Sequence, residues 1–230
     1  MKDSYILQIE TATPVCSVAL SKNGKTVGVV EADEPNLHAS HLTLFIAEIL
    51  REEGIGFSAL SAVAVSKGPG SYTGLRIGVS TGKGLCYGLD IPLIAIDTLY
   101  AMATGFLETR NRKEGRTTLV PMIDARRMEV YMAQYDINLY PQEATNAQII
   151  NEYSFGDGGS YVLFGSGADK FETLFEKHKH IHIEKSFMNS ASFMSSIAFA
   201  KFQDGAVEDA VHFEPYYLKD FVATTPKQRL

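Results

Sequence analysis

The stretch from Leu60 to Tyr87 limits what this chain can fold into more than any other. Leu60 to Ser66 is an apolar run suited to a buried strand, and Lys67-Gly68-Pro69-Gly70-Ser71 breaks it sharply. A helix is expected from about Tyr72 to Tyr87, with Ser71 placed to cap it. Gly74, Gly78 and Gly82 then fall at four-residue spacing on one helical face. Each interior glycine costs a helix about 1 kcal/mol relative to alanine. Three in register need compensation, and close approach of another backbone along that face would supply it.

Upstream, Tyr5 to Glu10 and Cys16 to Leu20 read as short strands. Asn23-Gly24 is a strong hairpin signal, so Lys25 to Glu31 should be a third, antiparallel strand. Three antiparallel strands at the start indicate a mixed sheet. After Pro35-Asn36, Leu42, Phe45, Ile46, Ile49 and Leu50 recur at helical spacing, giving a helix from about His38 to Glu53 that Gly54 terminates. Leu44 and Ala47 lie off that stripe. A strand over Pro92 to Ile96 and a helix from Thr98 to Leu107 precede a polar stretch at 109–117, where a lobe boundary is expected. Strands follow at Leu119 to Ile123, Glu129 to Tyr135 and Tyr161 to Phe164, with helices near Asp169 to Lys177 and Ser190 to Phe202. Residues 136–159 give only weak signals, and Glu214-Pro215-Tyr216-Tyr217-Leu218 opens a polar tail. The order strand, strand, helix, strand, helix is followed by a shorter echo of itself, which fits two related α/β lobes.

The 230 residues carry a net charge of −6. That balance argues against a long basic groove for RNA. The run Arg110, Arg112, Lys113 and Arg116, interrupted by Glu114, reads as a solvated loop. Two distant cysteines, Cys16 and Cys86, form no disulfide framework, so a reducing, cytoplasmic setting is expected. No basic-then-apolar leader opens the chain, and no segment approaches the roughly 18 apolar residues of a membrane span.

Three places hold chemistry-bearing residues. The turn at Gly68, Gly70 and Ser71 points free amides toward one spot. It fits either a structural joint or an anion site, but lacks the Gly-Lys-Ser/Thr ending of a P-loop. Glu10 and Thr11 end the first strand, where actin-like ATPases place a carboxylate and hydroxyls facing a metal nucleotide; a strand-end acid with turn hydroxyls is also common. His38 and His41 could form a metal pair, yet no third ligand accompanies them, because His178, His180 and His182 lie far along the chain. Asp124 and Glu129 flank Arg126-Arg127 and could serve as an acid pair, though a salt-bridged hairpin is the simpler reading. No catalytic set and no metal site can be assembled from these residues.

Residues 6–20 (ILQIETATPVCSVAL), 67–78 (KGPGSYTGLRIG) and 123–131 (IDARRMEVY) together resemble the TsaB (YeaZ) family, with support from His41 and Tyr217-Leu218-Lys219. The resemblance is strongest over residues 5–135. It implies an α/β, actin-like (ASKHA) fold of two RNase H-like lobes with mixed sheets flanked by helices. The expected division is 1–108 for the first lobe and 109–230 for the second. It also implies an accessory subunit without its own catalysis. Such a subunit would work with the transferase TsaD and the ATPase TsaE in N6-threonylcarbamoylation of adenosine 37 in tRNAs reading ANN codons. That transferase carries a metal motif of form His-x-x-x-His; this chain has His-x-x-His at 38–41, in a different place. An ATPase or kinase-like activity, resting on Glu10 and Thr11, is the alternative, and the family's old glycoprotease label is the weakest. No cofactor is expected on this subunit, with ATP or ADP at the level of the complex, and tRNA is reached indirectly.

Family members pair through the first two helices, with themselves or with TsaD. The surplus apolar residues of the first helix and the flattened face of the second fit such a surface. Leu44, Ile46, Ala47, Leu75, Val79 and Lys83 are therefore the expected partner-facing residues.

Overall fold

The computed structural model describes residues 3–34, 37–110 and 117–219. The chain builds two five-stranded sheets of the same design. In the first, β1 (Tyr5–Glu10), β2 (Cys16–Lys22) and β3 (Lys25–Ala32) form an antiparallel meander. Strands β4 (Leu60–Gly68) and β5 (Leu93–Asp97) then add parallel to β1, giving the order β3-β2-β1-β4-β5. The second repeats this with β6 (Thr117–Asp124), β7 (Glu129–Tyr135), β8 (Pro141–Ile149), β9 (Ser160–Phe164) and β10 (Ile181–Glu184), ordered β10-β9-β6-β7-β8. Asn23 and Gly24 take the positive φ values (50° and 80°) that the Asn-Gly turn supplies cheaply. This is the α/β, actin-like architecture of mixed sheets flanked by helices.

Side-chain alternation along β1 sends Leu7 and Ile9 to one face of the first sheet and Ile6 to the other. Helices α1 (Leu37–Glu52) and α2 (Tyr72–Leu89) cover the first face, where Leu42, Ile46, Ile49 and Val79 meet Val18, Val63 and Val65. The second face is paved with Ala19, Ala62 and Ala64, small enough to admit Met194 and Ala198. Those two come from the second half of the chain, Ala198 from its last helix, α5 (Ser195–Gln203). Conversely, α3 (Thr98–Arg110) packs on the second sheet, its Phe106 ring stacked 4.3 Å from Phe164. The expected cut between residues 108 and 109 falls inside α3, which packs on the second sheet, while α5 packs on the first.

Three elements differ from expectation. Strand β8 occupies the weakly signalled region 136–159, because a half-exposed edge strand carries Gln142, Glu143, Asn146 and Gln148 instead of an apolar alternation. The helix expected at 169–177 is a 3-10 turn at Asp169–Phe171 followed by the single turn α4 (Glu172–Phe175). The helix expected from Ser190 begins as a 3-10 turn, Ala191–Met194. Among the described residues, no helix is long and apolar enough to cross a membrane. Pro35-Asn36 and the basic residues Arg112, Lys113 and Arg116 lie outside the described residues.

Candidate functional site

The glycine turn is closed by the chain itself. Gly68 ends β4 at a φ of 111°, and a Cβ there would lie 2.6 Å from the Tyr216 carbonyl oxygen. One on Gly70 would lie 2.4 Å from the Ala12 oxygen, and that oxygen accepts the Ser71 amide at 2.8 Å. Ser71 caps α2 as expected, its Oγ accepting from the Gly74 amide at 3.2 Å. Thr11 completes the joint by donating its hydroxyl to the Gly74 carbonyl at 2.8 Å. The first-turn amides of Ser71 and Gly74 are thus satisfied by Ala12 and Ser71. The backbone that approaches the glycine face of α2 is the chain's own turn after β1.

Glu10 lies beneath this joint and is fully buried. One carboxylate oxygen accepts the Ala12 amide at 2.6 Å, and the other accepts the Ser66 hydroxyl. Burial pushes its pKa up to about 7, against the opposing pull of Ser66, Ala12 and Asn189. The same burial, with the nearby Glu10 charge, raises the Cys16 thiol to about 11. Glu10 therefore ties β1 to β4 from inside the first lobe.

The proposed partner-facing residues separate into three groups. Leu44, at 57 % exposure, and Ala47 lie on the outer side of α1. Ile46, Leu75 and Val79, at 3 %, 1 % and 3 %, are core residues here, a correction to the expectation that they face a partner. The physical reason is that each helix touches both the sheet and its neighbouring helix, so it buries more than one narrow stripe. Lys83 is also corrected. Its ammonium donates to the carbonyls of Val211 and Phe213, at 3.0 and 2.9 Å, and so serves the chain's own C-terminal segment.

That segment, residues 207–219, is the feature sequence reasoning missed. It runs as a strap from the β5 edge, where the Glu208 amide donates to the Leu93 carbonyl at 2.8 Å, across α2. The Tyr217 ring lies 4.9 Å from that of Tyr72, tilted by 42°, and its hydroxyl accepts from Arg76 Nε at 3.2 Å. Lys219 then pairs with Glu129 in the second lobe. Sequence reading also missed a cavity of about 540 Å³ beside β5, bordered by Lys67, Asp97, Tyr100 and Lys201. Burial raises the Asp97 carboxyl, whose oxygen accepts the Tyr100 amide and so starts α3.

His38 Nε2 lies 3.0 Å from the Thr13 carbonyl, and His41 Nδ1 lies 2.8 Å from Ser40 Oγ. Among the described residues, no three His, Cys, Asp or Glu side chains could hold a metal together. The hairpin at Asp124 and Glu129 is salt-bridged as expected, but through Lys170 and Lys219.

Fold and joint together define a two-lobed protein of the actin-like class whose first-lobe turn is packed against its own glycine helix. A family model described as "TsaD: tRNA N6-adenosine threonylcarbamoyltransferase" matches residues 15–228. The tRNA threonylcarbamoyladenosine biosynthesis protein TsaB of Escherichia coli K12 is 34 % identical over 226 residues, covering 95 % of this chain and 96 % of that protein. The Haemophilus influenzae TsaB is 28 % identical over 96 % of each chain. Among solved structures, YeaZ from Pseudomonas aeruginosa superimposes with a TM-score of 0.77 at 24 % identity, over 94 % of this chain and all of that one. The chain belongs to the TsaB family.

Proposed function

We propose that this chain is a non-catalytic accessory subunit in threonylcarbamoylation of tRNA adenosine, docking on a TsaD-type transferase that works with a TsaE-type ATPase. One observation carries the reading. The turn that could face a nucleotide is filled by Thr11, Ala12 and Ser71, and Glu10 is sealed beneath it. The names of the TsaB relatives support the pathway, and the similarity to the transferase model supports a partner of like fold. Docking is assigned to the outer face of α1 around Leu44 and Ala47, the same face through which two copies would pair when the transferase is absent.

The test is pull-down and titration with the transferase. Leu44→Glu and Ala47→Glu should move the folding free energy by less than about 0.5 kcal/mol, as exposed substitutions do, while lowering partner affinity by about 100-fold or more. Leu75→Glu should instead lose the fold, since burying an unpaired carboxylate costs several kcal/mol. Unchanged partner affinity in both exposed variants would refute docking through this face.

A further inference from the structure

The tip of the hairpin joining β6 and β7 is built against local backbone preference. Arg126 and Arg127 hold φ values of 76° and 53°, a region that normally goes to glycine or asparagine. Both side chains are exposed. The neighbouring carboxylates are engaged elsewhere, Asp124 by Lys170 and Glu129 by Lys219. Among the described residues, no carboxylate pairs with either arginine. Two exposed arginines thus follow one another on a tight turn.

The strap brings a third cation to the base of the hairpin. Lys219, paired with Glu129 at the base of this hairpin, stands two residues beyond Tyr217. Tyr217 holds Arg76, whose guanidinium lies 4.2 Å over the Tyr72 ring and 5.9 Å from the Tyr217 ring. The acidic group whose charge reaches Arg76 is Glu214. The two lysines offset the two hairpin carboxylates, so this surface keeps an excess of positive charge on a chain whose net charge is −6. The guanidinium fork matches phosphate oxygens, and its stacking on tyrosine fixes its direction.

We infer that this surface, Arg126 and Arg127 with the Arg76–Tyr217 cluster, contacts the phosphodiester backbone of RNA. The inference rests on the proposed function, which makes tRNA the RNA at hand. Three arginines reach few phosphates, so the contact is weak, salt-dependent and indifferent to base sequence. Its role is to orient RNA that the transferase binds more firmly.

The test is fluorescence anisotropy of the full chain with labelled, unmodified tRNA between 50 and 200 mM salt. The double variant Arg126→Gly/Arg127→Gly should bind roughly tenfold more weakly at 50 mM salt, with a log–log salt slope shallower by about 1 to 2. Its melting temperature should hold or rise, because glycine suits both backbone angles. Lys25→Ala, on the β2–β3 hairpin, should leave affinity and slope at wild-type values. Absence of salt-dependent binding by wild type, or wild-type affinity and slope in the double variant, would overturn the inference. So would retained RNA binding with loss of the transferase, which would make this a protein interface. Failure of wild-type protein to support modification, with RNA binding as expected, would count against the accessory reading instead.

Discussion

Gly74→Ala and Gly78→Ala should each destabilise the protein by about 3 kcal/mol or more, while Gly84→Ala, on the same helix, should stabilise it by about 0.5–1 kcal/mol. A methyl on Gly74 would sit 2.0 Å from the Thr11 carbonyl oxygen, and one on Gly78 would sit 2.2 Å from Thr11 Oγ1. The first obstacle is backbone and cannot rotate away. Relief requires α2 to lift from the turn after β1, which breaks the bond from Thr11 to Gly74 and exposes the core beneath Val79. At Gly84 nothing lies within 4 Å of the added carbon, so only the gain in helix propensity remains. Urea unfolding of the three variants reads the contrast directly. Equal, small effects at all three positions would mean that the glycine face is covered by something other than this chain.

Glu10→Gln should make the protein more stable by roughly 3 kcal/mol at pH 8 and by less than about 1 kcal/mol near pH 5. The folded-state pKa of Glu10 is raised from 4.5 to about 7, chiefly by burial. In the wild type, the stability contributed by the protonated form is fully present below the unfolded value of about 4.5. It is lost as pH rises through about 7. The amide of glutamine still accepts from Ala12 and carries no charge to bury. The difference between variant and wild type across pH 5 to 8.5, from urea midpoints, isolates this one group. A difference that does not grow with pH would show that Glu10 has an ordinary carboxylate pKa and is reached by solvent.

Much of the fold was legible because its signals are local. Asn23-Gly24 fixes the first hairpin, and the alternation of Ile6, Leu7 and Ile9 marks a strand covered on both faces. The glycine spacing in α2 correctly announced a close neighbour. It could not say that the neighbour is Thr11, which lies 63 residues from Gly74 in the chain. Ile46 and Val79 looked available for a partner because a single-stripe picture of a helix fails where α1, α2 and the sheet all meet. The strap had no periodicity to detect. It is held by the Lys83 ammonium on two carbonyls and by the tilted ring contact with Tyr72, contacts that depend on where α2 lies. Strand β8 was hidden for a related reason, since an edge strand with one wet face needs few apolar residues.

We propose that this polypeptide assists a reaction it does not itself perform. The direct measurement is transfer of a labelled threonylcarbamoyl group to unmodified tRNA in purified mixtures. The reaction should be absent with this chain alone and negligible with a threonylcarbamoyl donor plus the TsaD-type and TsaE-type proteins. It should appear when the chain is added, and fail again with Leu44→Glu. Label transferred by this chain in isolation, or full transfer without it, would contradict the claim.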